Sequence, residues 1–554
     1  MTAFLLPLPA AAQGVLPYIQ RKDAVSQMMV DGKPFLMLAG ELHNSSPSSP
    51  VYMEPIWGRL AKLHLNTVIG DVSWELIEPA EGKFDFTTVD AQIEQARSHS
   101  LRLVLIWFGS WKNTGSNYVP IWVKTDTARF KWAQQHNEPT PEHPHRGLYA
   151  VSAFSNAARD ADAKAFRALM THIKQTDPGH TVIMMQVENE SGILFEARDY
   201  SPAAQAAWDG PVPTELTAYL SAHRQTLLPE VVTTWQSHGY RTTGTWSQVF
   251  GDDRNAQEIF SAWYIGSYIE AVMRAGHEVL PLPMYVNAWI VQNDKQVPGD
   301  YPSGGPVSRV MDIWRAAAPD SALFAPDIYI STFEDVCASY VRSGNPLLIP
   351  ESRAIPGNLL YAISHFNALG VSPFGIDDLA ATDPLGDLYR LLGGATPVLL
   401  KAQQEGRVVG IPPRSKGSFG TSFAGYNIYV SYVAAQVSQT ALPGTGQSVP
   451  DVIELHKSLG GDTGYGMVIK TAPDDFYVLG KGLTLTFGVP PPGENNIVAY
   501  GFDEGYFKNG EWVTLRRLNG DEGPRGLRSI SLPPDTLVFR RIRLYHHIGP
   551  GNKG

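Results

Sequence analysis

The sequence has a single cysteine, Cys337, in 554 residues, so no intramolecular disulfide can form. Its setting, Glu334-Asp335-Val336-Cys337-Ala338, reads as a helix with the thiol serving as a small buried hydrophobe. Long apolar runs are also missing, and no segment is expected to span a bilayer. Positive charge is scarce: 44 Lys and Arg against 54 Asp and Glu leave a formal charge of -10. That balance argues against a nucleic-acid partner, because phosphate neutralisation needs clustered cations. There is no G-x-S-x-G nucleophile elbow, and Gly460-Gly461-Asp462-Thr463-Gly464 lacks the lysine and hydroxyl of a phosphate-binding loop. His136, Glu138, Glu142, His143 and His145 crowd one insertion, but their spacing fits no zinc pattern. They read as a solvated polar loop, and neither a metal nor a cofactor is expected.

What is present is an ordinary globular composition, 43% hydrophobic and 18% charged. The 13 Trp and 23 Tyr supply flat apolar faces with polar edges, which suit sugar rings and large cores alike. The length exceeds one compact core and predicts at least two domains. Residues 1–24 open with a short apolar run (Phe4 to Leu8), then Ala10-Ala11-Ala12-Gln13, which resembles the end of a signal peptide without its basic start. The expected location is therefore periplasmic or secreted, and cytoplasmic if the segment is no signal.

From about residue 25, short apolar runs alternate with longer amphipathic stretches, the mark of βα units around a parallel sheet. Strands are expected at 35–40, 67–72, 102–107, 182–187, 284–288, 347–351 and 370–375, with another at 322–330. A further strand is expected between Glu190 and Met284 without a clear position. Helices are expected at 55–63, 89–98, 157–174 and 386–404. The long connections 110–150 and 292–322 suit functional loops on the C-terminal face of a barrel. The fold expected is α/β: a (β/α)8 TIM barrel over residues 25–405. After about residue 410, short β-rich runs between Gly/Pro turns predict a C-terminal antiparallel β-sandwich over 410–554.

Two strand ends carry the chemistry. The apolar run TVIMM leads into Gln186-Val187-Glu188-Asn189-Glu190. Alternation along a strand would put Gln186, Glu188 and Glu190 on one side, the barrel interior. A buried carboxyl group must be paired or shifted in pKa, so the string is either an ion-pair plug or a reaction site. Asn345-Pro346-Leu347-Leu348-Ile349-Pro350-Glu351 repeats the pattern, and Arg353 two residues on makes a structural salt bridge the alternative. Two strand-end glutamates in one barrel meet the requirement of glycoside hydrolysis for two facing carboxyl groups.

At these residues the chain resembles family 35 glycoside hydrolases, the β-galactosidases of the large (β/α)8 superfamily. QVENE is similar to that family's acid/base motif on the fourth strand, and IPESR at 349–353 to its nucleophile strand, the seventh. Trp74-Glu75-Leu76-Ile77-Glu78-Pro79-Ala80-Glu81-Gly82-Lys83-Phe84-Asp85-Phe86 resembles the signature after the second strand, and Gly40-Glu41-Leu42-His43 the end of the first. The resemblance implies Glu190 as acid/base, Glu351 as nucleophile, Asn189 on the sugar 2-hydroxyl and Tyr329 orienting the nucleophile. Trp111, Asn113, Trp289 and Glu75 are the remaining candidate sugar contacts. Where the family carries Glu-Trp after the third strand, this chain has Ser110-Trp111.

The expected function is that of a retaining exo-acting β-glycosidase, foremost a β-galactosidase, acting on an oligosaccharide or polysaccharide. The alternatives are a glycosidase for another sugar, such as a β-glucoside or arabinoside, and a non-catalytic carbohydrate-binding barrel. A homo-oligomer stays open.

Overall fold

The computed structural model describes residues 14–112, 117–136, 150–433, 463–490, 497–519 and 528–546. Eight parallel strands form one sheet: Met37–Glu41, Thr67–Ser73, Arg102–Phe108, Val182–Val187, Met284–Trp289, Leu323–Asp327, Ile349–Ser352 and Gly370–Pro373. The eighth pairs with the first, and a parallel bridge from Ile328 to Ser352 joins the sixth to the seventh, closing the barrel. The eight are the seven expected runs together with the one at 322–330. No ninth strand lies between Glu190 and Met284. That stretch holds five helices, the last being Arg254–His277, which is buried around most of its circumference and so lacks a clear periodicity to read.

Alternation sorts each strand. Met37 and Ala39, Ile69, Val104 and Ile106, Met184, Tyr285, and Leu323 and Ala325 meet in the barrel interior. Residues between them, such as Leu38, Val68, Leu105 and Met185, pack outward against the helices. An antiparallel three-stranded sheet over residues 18–35 adds Met28 and Val30 to that interior cluster. The expected helices appear as Pro50–Lys62, Thr87–Ser98, Asn156–Thr176 and Pro384–Gln404. Cys337 is fully buried on the helix Phe333–Tyr340, as its sequence setting suggests.

Beyond the barrel, a six-stranded and a four-stranded antiparallel sheet face each other. Val468, Phe476, Val478 and Ile542 point into the space between them, with Ile428, Leu485 and Phe487 opposite. Their strand neighbours Met467, Ile469, Tyr477 and Leu479 point the other way and join the barrel's own core cluster. The two strands of the six-stranded sheet that carry these residues, Gly464–Ala472 and Asp475–Lys481, are thus buried on both faces. At Gly394 on the helix Pro384–Gln404, an added Cβ would collide with the Phe507 carbonyl oxygen, so glycine permits the close approach. No helix among the described residues is long and apolar enough to cross a membrane.

Candidate active site

Continuing the interior alternation to the C-terminal strand ends brings polar side chains onto the barrel axis. Glu41 follows Ala39, Asp71 follows Ile69, Gln186 follows Met184, Asn287 follows Tyr285, and Asp327 follows Ala325. All five are almost wholly buried. Glu351 arrives differently. Leu348 faces inward and Ile349 outward, so strict alternation would send Glu351 outward. A register irregularity between Ile349 and Ser352 turns its carboxyl group into the mouth.

The fourth strand ends at Val187, and the expected common side for Gln186, Glu188 and Glu190 fails there. Glu188 and Glu190 both adopt left-handed backbone, with φ of 65° and 45°, so the period of two stops. Glu188 swings into the shell behind the barrel. Its Oε1 accepts from the Ser110 N–H at 3.1 Å and its Oε2 from the Trp111 N–H at 2.7 Å. Beside it, Asp162 accepts from Trp107 Nε1 at 2.8 Å and from Ser110 Oγ at 2.6 Å. Burial, then the Asp162 charge, pushes the Glu188 carboxyl well above its usual range. An added Cβ on Gly109 would press on both acids, which is why glycine stands there. Ser110 Oγ also meets Tyr268 OH at 2.7 Å, and its side chain is therefore committed to the shell.

Glu190 returns to the mouth, its N–H donating to Asn287 Oδ1 at 2.9 Å. One oxygen each of Glu190, Asp327 and Glu351 lies within 4.8 Å of the others. Among the described residues this trio is also the grouping close enough to hold a metal ion. Tyr329 OH donates to Glu351 Oε2 at 2.9 Å. Asn287 Nδ2 donates to Asp327 Oδ2 at 2.8 Å and to Asn189 Oδ1 at 3.0 Å, with Glu351 Oε1 at 3.5 Å. Gln186 Nε2 donates to the same Asn189 oxygen at 2.8 Å. That fixes the Asn189 amide with its Nδ2 buried and unpartnered. Burial raises the Glu351 carboxyl, while Lys112 and the Tyr329 hydrogen bond pull it down. Burial raises Glu41 and Asp327 well above the carboxylate range, helped in both by the Glu351 charge. Burial pushes Asp71 up to about 8.

The structure therefore groups Glu190, Glu351, Asn189 and Tyr329. Trp289 ends the fifth strand, with its indole N–H buried and unpartnered. Trp111 is buried edge-on against Tyr268 in the core cluster, its indole N–H likewise unpartnered. Glu75 is not brought to this group by any contact seen here; it pairs with Lys124 at 3.2 Å and is 39% exposed. Asn113 lies outside the described residues, as do residues 137–149 of the His/Glu insertion and 460–462 of the glycine string. Arg353 is exposed, and the cationic charge that acts on Glu351 is that of Lys112. Sequence reasoning passed over Glu41, Asp71, Asn287, Asp327 and Lys112. For all but Lys112, which lies beyond the end of the third strand, the signal is one polar residue at inward register near the end of an apolar strand.

Residues 51–252 match the family 42 glycoside hydrolase model, described as beta-galactosidase, and residues 385–529 match a domain of unknown function, DUF5597. The first match contains Glu190 and stops short of Glu351. It names family 42 where the motifs resemble family 35. A beta-galactosidase of Xanthomonas manihotis is 30% identical over 205 residues, 36% of this chain. The chain spans only 31% of that relative's length. Among solved structures, a family 42 β-galactosidase from G. stearothermophilus superimposes with a TM-score of 0.49 at 12% identity, covering 92% of this chain and 98% of its own. A β-galactosidase from Bacillus circulans sp. alkalophilus gives 0.43 at 15% identity, covering 66% and 57%. Over residues 51–252 the chain is similar to β-galactosidase-type glycoside hydrolases.

Proposed function

We propose that this chain is a retaining, exo-acting β-glycosidase that cleaves terminal β-galactosides from oligosaccharides or polysaccharides by double displacement. The observation that carries the reading is the approach of Glu190 and Glu351 oxygens within 4.8 Å across the mouth. Retaining enzymes hold their carboxyl groups about 5–5.5 Å apart, and inverting ones about 6.5–9.5 Å to admit a water. Glu351 attacks the anomeric carbon while Glu190 protonates the leaving oxygen. Glu190 then deprotonates a water that releases the sugar. The Tyr329 hydroxyl and the nearby Lys112 ammonium favour an ionised Glu351, as a nucleophile requires. The unpartnered Asn189 Nδ2 suits the 2-hydroxyl.

The family 35 motifs and the family 42 match both carry the β-galactosidase name, which supports a β-galactoside as the substrate. A second reading, a glycosidase for a β-glucoside or arabinoside, is favoured by Ser110. At the position where family 35 places a carboxylate on the sugar, this side chain is held in the shell. A panel of nitrophenyl β-glycosides, assayed with and without EDTA, tests both. Fastest release from the galactoside, unchanged by EDTA, supports the first reading, and release from no glycoside defeats both. Loss of turnover in EDTA would move the Glu190–Asp327–Glu351 trio to metal chemistry.

A further inference from the structure

Glu41 is 1% exposed, and both of its carboxyl oxygens lack a hydrogen-bond partner. Asp71 Oδ1 and Asp327 Oδ1 are orphaned in the same way, while the opposite oxygens of these two bond to Ser73 and Asn287. An unsatisfied buried polar atom costs about 1–3 kcal/mol, and more when charged. Such atoms persist where a ligand supplies what the protein omits. Glu41 follows Met37 and Ala39 on the inward face of the first strand, and the charges of Glu351, Lys112, Glu190 and Asp71 act on it there, so it faces the mouth and not the shell. It ends the first strand, whereas Asn189 follows the fourth, three strands further round the barrel. The shell-bound Ser110 cannot offer the sugar an acceptor.

We propose that Glu41 is the specificity-determining residue of this site, accepting a hydrogen bond from one sugar hydroxyl on the side of the ring remote from C2, with Asp71 beside it as the auxiliary acceptor. The inference rests on the glycosidase reading and names the part of the site that recognises the sugar. A pyranose hydroxyl is a donor that a buried carboxyl oxygen can take without a counter-ion. Lys112, whose ammonium stands 5.4 Å from the Phe108 ring centroid, offsets the cluster's remaining charge. A site built around a substrate hydroxyl discriminates steeply against the analogue lacking it, because its own buried polar atom is then left unpaired.

The test uses the full chain and the nitrophenyl β-glycoside that it cleaves fastest, with the 2-, 3-, 4- and 6-deoxy congeners. In E41Q, kcat/KM on the parent glycoside is expected to fall about 100-fold. On one congener deoxygenated at C3, C4 or C6, the wild type and E41Q should agree within about threefold, because the partner is already gone. An equal loss on every congener would make Glu41 a structural residue and overturn the proposal. So would no loss, or a loss tied to the 2-hydroxyl alone. Should melting curves show E41Q unfolded, Glu41→Asp is measured on the same panel with the same expected pattern. A wild type that cleaves no glycoside overturns the glycosidase reading itself, an outcome visible before any variant is made.

Discussion

Two groups of buried acids flank the end of the fourth strand, and they are built on opposite terms. In the shell, Glu188 and Asp162 lie side by side, and each of their oxygens accepts from Ser110, Trp111 or Trp107. On the axis, Glu41, Asp71 and Asp327 keep orphaned oxygens beside Glu190 and Glu351. Burial is equal in the two groups, so burial does not separate structure from site. Hydrogen-bond satisfaction does. A closed set of partners holds the chain in place, whereas an open set waits for donors from outside.

The contrast breaks most sharply at the nucleophile. Glu351→Gln should lower kcat by about 10,000-fold or more, with a melting temperature at or above that of the wild type. Near-normal turnover would remove Glu351 from the mechanism.

The next effect is on stability. With a folded pKa of about 8 against an ordinary 3.8, Asp71 stays protonated in the folded chain while the unfolded chain ionises. Stability from this group is therefore complete below about pH 4 and is lost as pH rises through about 8. Asp71→Asn removes that loss, on the order of several kcal/mol at full ionisation. Urea unfolding at pH 5 and pH 9 should show a smaller decline in the variant. An equal decline would place Asp71 in contact with water.

In the shell, Asp162→Ala strips acceptors from Trp107 and Ser110 and should cost about 3 kcal/mol of unfolding free energy at constant pH. A change under about 1 kcal/mol would show that the shell pair is dispensable. Smallest is Tyr329→Phe, which deletes one bond to Glu351 and should lower kcat about 10-fold with KM little changed. The same loss in KM alone would make Tyr329 a binding group.

Much of this was legible beforehand. All eight barrel strands lie on apolar runs readable in the sequence, since buried parallel strands are nearly continuous hydrophobe. Glu190 and Glu351 stood out because a carboxyl group ending such a run is costly without a role. The six-stranded sheet was less legible. Its strands Gly464–Ala472 and Asp475–Lys481 bury both faces, one against the barrel's core cluster, so the separate 410–554 unit expected from composition shares a core with the barrel. Glu188 departs from the side that alternation predicts, because alternation assumes extended backbone and φ turns positive at that residue.

By itself, then, the sequence determined the βα barrel, the eight apolar runs that become its strands and the two strand ends that bear the central glutamates. These follow from hydrophobic period and from the cost of burying charge, both local properties of the chain. Only the tertiary structure decided which acids are satisfied. The partners of Glu188 come from the end of the third strand and a flanking helix, and Glu351 reaches the mouth through a register slip against its neighbour. Hydrogen-bond closure is a property of side chains far apart in sequence, and no reading of one strand at a time contains it.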